Sequence, residues 1–295
     1  MCRALVAAAL LAVPVAGATP PRVSKVRVGL EPYTVTAVGR SVWIALYGTG
    51  QVVRLDAGRA RVTKGFNVGG GPAGVAVSGS TVWAGNHVGS SVARIDLRTA
   101  KVRHIRVGRK PIALGAGAGA VWVGDYTDGR VTKLDARSGR VLFRRSFRGE
   151  EHEGLAVARD GVWTVSENGI VQKLDPKTGE TLATTQVGDD PDYVTVGGGS
   201  VWVSCYADSR LWRLDPATGK VLGTITIGEG AQGIAIERSL WVAKYTGDIV
   251  RIDPAAGQVA ERFAVGGSLR AVAIASGSAW AASSAGRVLV RVRLR

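Results

Sequence analysis

A chain of 295 residues, with 46% hydrophobic content and 41 glycines, is long enough for one large domain with a substantial core. Its formal charge of +15 raises the question of nucleic-acid binding. No basic patch interleaved with aromatic residues supports that reading, and an export signal argues against it. The scattered Arg and Lys residues read first as a solvated basic surface, with contact to an anionic cell-envelope polymer as the further expectation.

At the N-terminus, Arg3 precedes an apolar run from Ala4 to Val15, and Ala16-Gly17-Ala18 offers a small-residue cleavage site. This predicts a secretory signal peptide over residues 1–18 and a secreted, extracytoplasmic domain over residues 19–295. The run is short for a membrane anchor and holds Pro14, which breaks long helices. No later stretch is long and apolar enough to span a bilayer. Cys2 would leave with the leader, so Cys205 is the one remaining thiol and no internal disulfide is available.

From there the chain repeats. Trp43, Trp83, Trp122, Trp163, Trp202, Trp241 and Trp280 recur at steps of 40, 39, 41, 39, 39 and 39 residues, with Trp212 outside the series. Each repeat opens with Gly, often Pro, and a small apolar strand such as Pro72 to Val77. The Val-Trp strand follows, then a third strand ending in Arg/Lys-Leu/Ile-Asp. A tight turn such as Asp175-Pro176-Lys177-Thr178-Gly179 leads to a fourth strand. The pattern predicts an all-β fold: a seven-bladed β-propeller with four antiparallel strands per blade. The Trp residues are its core wedges, and the Asp column belongs to the turns. The last repeat runs out after three strands, while Arg22 to Gly29 has the fourth-strand pattern, so the N-terminal strand should complete the last blade. A monomer is expected.

The repeat grammar Pro-x-Gly-Val/Ile-Ala-Val, Val-Trp-Val and Arg-Leu-Asp-Pro-x-Thr-Gly resembles the YVTN-type surface repeat proteins and the virginiamycin B lyase (streptogramin lyase) family. The resemblance covers nearly all of residues 22–295 and implies the propeller fold. In the lyases it implies a metal-dependent elimination, with His after the repeat Pro and two Glu residues holding Mg²⁺. Here the position after Pro reads Tyr33, Ala73, Ile112, Glu153, Asp192, Gln232 and Arg270, and none is His. The position before Pro reads Glu31, Gly71, Lys110, Glu151, Asp190, Gly230 and Ser268. Four residues after the Trp stand Tyr47, His87, Tyr126, Glu167, Tyr206, Tyr245 and Ser284. One blade therefore carries both lyase-like Glu positions, Glu151 and Glu167, and has His152 in place of Pro.

These columns should meet at one end of the channel. The expected ligand-binding set is Tyr33, Asn86, Asp125, Tyr126, Glu153, Asp192, Tyr206, Gln232, Lys244, Tyr245 and Arg270. Crowded carboxylates need a cation, a basic partner or a proton. Glu151, Glu153 and Glu167 are thus candidate ligands for Mg²⁺ or Ca²⁺, the other reading being pairing with Arg148, Lys244, Arg270 or solvent. His152 is the candidate general base; His87 is a weaker one, His104 reads as structural, and Cys205 as a buried filler. The expected function is a binding or scaffold module for a small molecule, peptide or envelope polymer. The alternative is a divalent-metal lyase or related hydrolase.

Overall fold

The computed structural model describes residues 23–147 and 151–294. The predicted leader and its cleavage site lie outside the described residues, as do Arg148, Gly149 and Glu150. The strands assemble into seven separate four-stranded antiparallel sheets. Six are plain meanders in chain order, with inner strands Pro32–Val38, Pro72–Ser78, Pro111–Gly117, His152–Val157, Pro191–Gly197 and Ala231–Ile236. The seventh takes Leu269–Ala275, Ser278–Ser283 and Val288–Arg293, and receives Val23–Arg27 as its outer strand. Val23 stands opposite Val292 and Arg27 opposite Val288, so the seam closes as the repeat pattern requires.

The Trp residues do what a large apolar side chain in a ring of small strands must do. Each sits between its own blade and the next. Trp163 packs with Val194, Val201, Val203 and Leu214 of the fifth blade. Trp280 packs with Val35, Val42, Ile44 and Leu55 of the first, which continues the core across the seam. All seven are essentially buried, and burial of this kind is the main force holding blade to blade.

The basic charge has a structural share that the sequence pattern hid. In six of the seven blades the Arg or Lys of the third strand lies across the Trp of its own blade: Arg291 Cζ is 4.9 Å from the Trp280 centroid, and Lys133 Nζ is 5.3 Å from that of Trp122. Some reach further. Arg94 donates to the carbonyl of Arg137 at 2.6 Å, Lys133 to that of Pro176 at 2.6 Å, and Lys173 to that of Pro216 at 2.8 Å. These carbonyls belong to the outer turn of the following blade, so the cation covers a core ring and ties two blades together. The Asp column is confirmed as turn chemistry: Asp175 Oδ1 accepts from the N–H groups of Lys177 and Thr178 at 2.7 and 2.8 Å, and Gly179 takes φ +74°.

Neighbouring inner strands approach so closely at the axis that glycine is required. A Cβ on Gly74 would lie 2.2 Å from the Ile112 carbonyl oxygen of the next blade. Gly74→Ala is therefore expected to force the second and third blades apart and destabilise the fold by about 2 kcal/mol or more. Urea denaturation checks this; an unchanged midpoint would show that the blades can slide.

Candidate ligand site at the channel mouth

Two backbone devices repeat in the blades and aim side chains at the axis. In five blades the residue before the inner strand adopts the left-handed region, with φ 50° at Glu31, 58° at Gly71, 53° at Lys110, 56° at Asp190 and 77° at Gly230. Its carbonyl accepts the N–H of the residue four after the Trp: Glu31 from Tyr47 at 2.9 Å, Lys110 from Tyr126 at 3.0 Å, Asp190 from Tyr206 at 2.7 Å and Gly230 from Tyr245 at 2.7 Å. The two sequence columns are thereby fixed side by side. The inner strand then pairs once and skips a register, leaving Tyr33, Ala73, Ile112, Glu153, Asp192 and Arg270 outside the ladder. In the sixth blade the skip spans Gln232 and Gly233. A bulged residue is freed from the pleat and can be re-aimed.

Here the bulges line a cavity of about 150 Å³ on the axis, with Tyr33, Glu153, Asp192, Gln232 and Arg270 in its wall. The Gln232 amide donates to the Asp192 carboxylate. The Arg270 guanidinium lies 4.6 Å from the ring centre of Tyr33 and 5.7 Å from that of Tyr245, and donates to the Tyr33 hydroxyl at 3.3 Å. Around the mouth, Tyr47, His87, Tyr126 and Tyr206 are half-buried and Tyr245 is exposed. They form a collar: Tyr33 and Tyr47 stand 5.7 Å apart, Tyr47 and His87 6.0 Å, and Tyr206 and Tyr245 6.0 Å.

The acids gather in one sector. The Tyr126 hydroxyl donates to Glu167 Oε1 at 2.6 Å, and this bond with burial holds the phenol well above its ordinary range. Glu151 and Glu153 both lie close enough to Glu167 for it to raise them further. Burial, then the charges of Asp192 and Glu167, raise Glu153 to about 9. Burial and Asp190 raise Asp192 to about 7, against the pull of Arg270 and Gln232. Burial raises Glu151 and Asp190 as well. Among the described residues, none of these five acids makes an ion pair with Arg or Lys. Protonation, rather than salt bridges, relieves the crowding.

Of the sequence-derived set, Tyr33, Glu153, Asp192, Gln232 and Arg270 converge on the axis, with Tyr126, Tyr206 and Tyr245 around it. Asn86, Asp125 and Lys244 do not reach the open mouth: they are 2%, 0% and 5% exposed. They end the second strand, one residue short of the rim column, and fasten to the preceding entry loop. Asn86 donates to Val68 O at 2.8 Å, Asp125 accepts from Gly108 N at 2.9 Å, and Lys244 donates to Ile227 O at 3.2 Å. Burial raises Asp125 to about 7 and lowers Lys244. His152 is fully buried, with Nδ1 2.9 Å from Thr164 Oγ1 and its ring edge-on to Phe147. Burial lowers its pKa to about 4, which suits a packed neutral imidazole. Cys205 is buried with its thiol pushed up to about 12, in keeping with a filler.

The three glutamates gather in one sector as expected, and Glu167 accepts from Tyr126. Among the described residues no group of three or more His, Cys, Asp or Glu side chains stands in a metal-holding arrangement. As they stand, these side chains do not form a divalent-cation site.

Sequence reasoning missed Tyr193. It lines the axial cavity with Thr34 and packs against the core of the first and seventh blades. A signal existed: its column otherwise reads Thr34, Gly74, Ala113, Gly154, Gly233 and Ala271, all small. Tyr47 and Lys110, each present in a column but left out of the expected site, line the rim as well.

These features define a seven-bladed propeller with one asymmetric site on its axis. The chain belongs to the family described as outer membrane protein assembly factor BamB, whose model matches residues 74–292. Among solved structures, a chain titled Kuenenia stuttgartiensis hydrazine synthase is similar with a TM-score of 0.79 at 14% identity, covering 90% of this chain and 96% of that one. At that identity the likeness shows the fold alone. Comparison with curated proteins gives no match.

Proposed function

We propose that this chain is an extracytoplasmic, monomeric binding module whose ligand enters the channel mouth and is held by the bulge residues. The carrying observation is the asymmetry of the bulge column. Five of its side chains, Tyr33, Glu153, Asp192, Gln232 and Arg270, bring charge, amide and phenol groups into one cavity, while Ala73 and Ile112 bring none. Repetition builds the ring; departure from repetition marks a site. The family description, an outer membrane assembly factor, supports placement outside the cytoplasm and contact with envelope components. The export signal read over residues 1–18 supports it too. A peptide, a small molecule or an anionic envelope polymer all remain within this reading.

The closer kinship with YVTN-type and streptogramin lyase propellers rests on the repeat grammar. The lyase alternative takes from it Glu151 and Glu167, but neither a His in the bulge column nor an accessible His152.

The test is retention of the mature protein on isolated cell-envelope material. Glu153→Gln combined with Arg270→Gln is expected to cut retention at least tenfold with the circular dichroism spectrum unchanged. Equal retention would move the contact surface away from the mouth.

A further inference from the structure

Three cavities run together across the mouth. The axial one shares Tyr33 and Arg270 with a second of about 300 Å³, and that one shares Tyr47 with a third of about 380 Å³ beside His87 and Lys110. Together they outline a groove that starts on the axis, passes between the first blade and Tyr245, Arg270 and Ser284 of the sixth and seventh, and runs on over the second blade toward the third. Its walls alternate two chemistries. Aromatic faces stand half-open along it, while its inner end presents carboxyl, carboxamide and guanidinium groups.

Resting on the binding-module reading above, we propose that this groove takes an oligosaccharide, with a terminal sugar on the axis and the following units along Tyr33, Tyr47 and His87. A sugar ring has apolar C–H faces that pack on aromatic rings and hydroxyls that both donate and accept. The inner end matches this mixed demand. Gln232 and Arg270 donate, Asp192 accepts, and Glu153 holds its proton at neutral pH and so adds a donor. An apolar ligand would give no partner to Arg270 Nε, which is buried and has none among the described residues, at a cost. A cationic peptide would meet like charge at both ends of the groove, from Arg270 at the inner end and from Arg109 and Lys110 at the outer one. Three joined cavities also fit a chain of sugars better than one.

The experiment is calorimetric titration of the mature protein with chitohexaose, hexagalacturonate and a lysine-rich peptide, alongside the envelope-retention assay. One of the two hexasaccharides is expected to bind. Tyr47→Ala should weaken it roughly tenfold, and His87→Ala should act in the same direction. Binding of the matching disaccharide, which reaches only the inner end, should hardly change. Melting temperatures of both variants show whether the fold is kept. The neutral and acidic hexamers distinguish a plain polyol from one whose carboxylates meet Lys110. Hexasaccharide binding indifferent to both variants would overturn the groove. Retention on envelope material with no sugar binding, or displacement of that material by the peptide, would overturn the sugar class and leave the mouth as a site. Loss of all binding would remove both.

Discussion

Replacing Trp163 with Ala is expected to lower stability by about 3–5 kcal/mol. The ring is fully buried among valines of its own blade and the fifth, with Leu214 beyond them. Removing it takes away apolar burial and leaves a void that the closed ring cannot fill by collapse, because the blades are held on both sides. It also strips Lys173 of the ring beneath it, 5.8 Å from Nζ to centroid, although that ammonium keeps Asp160 at 2.9 Å and the Pro216 carbonyl. Trp163→Phe keeps part of the wedge and should lose less than half as much. Guanidinium denaturation decides it. A loss under about 1 kcal/mol for the Ala variant would mean that the blade interface does not depend on the wedge.

Glu153→Gln is expected to stabilise the protein at alkaline pH and to do nothing at pH 4. In the folded state Glu153 keeps its proton up to about 9, whereas in the unfolded chain a glutamate loses it near 4.3. Between those values the native state binds more protons than the unfolded one, so stability falls as pH rises through the window. Gln cannot ionise and removes that slope. At pH 8 the gain should be about 2 kcal/mol, discounted for the coupling of Glu153 to Glu167 and Asp192, or roughly 4–8 °C in melting temperature. Asp192, raised to about 7, leaves a residual slope below neutral pH. Thermal scans from pH 4 to 9 test this. Parallel curves for the two proteins would show that Glu153 ionises normally and that the axial cavity is wetter than its geometry implies.

The mouth was legible in part because column position is set by backbone rules that act alike in every blade. Counting from Trp found Tyr126, Glu167, Tyr206 and Tyr245, and counting from Pro found Glu153, Asp192, Gln232 and Arg270. The same count went one residue short for Asn86, Asp125 and Lys244. In a strand, successive residues face opposite ways, so an error of one residue turned rim side chains into buried fastenings. Tyr193 went unread because a large residue in a small-residue column looks like ordinary core until the ring is closed and it is found packed against the first and seventh blades across the axis.

What the sequence determined by itself is everything that recurs. The Trp period sets the number of blades, the Asp turns set their outer corners, and the orphan strand Val23–Arg27 sets the seam, because local pattern and nearest-neighbour packing are the same physics in each repeat. What only the tertiary structure decided is everything that crosses between repeats. Some of the cations on the Trp rings reach the next blade's turn, the bulges bring unlike side chains to one axis, and the charges of Asp192 and Glu167 come to bear on Glu153. Those outcomes depend on distances between blades and on the loss of water at the axis, neither of which a period in the sequence contains.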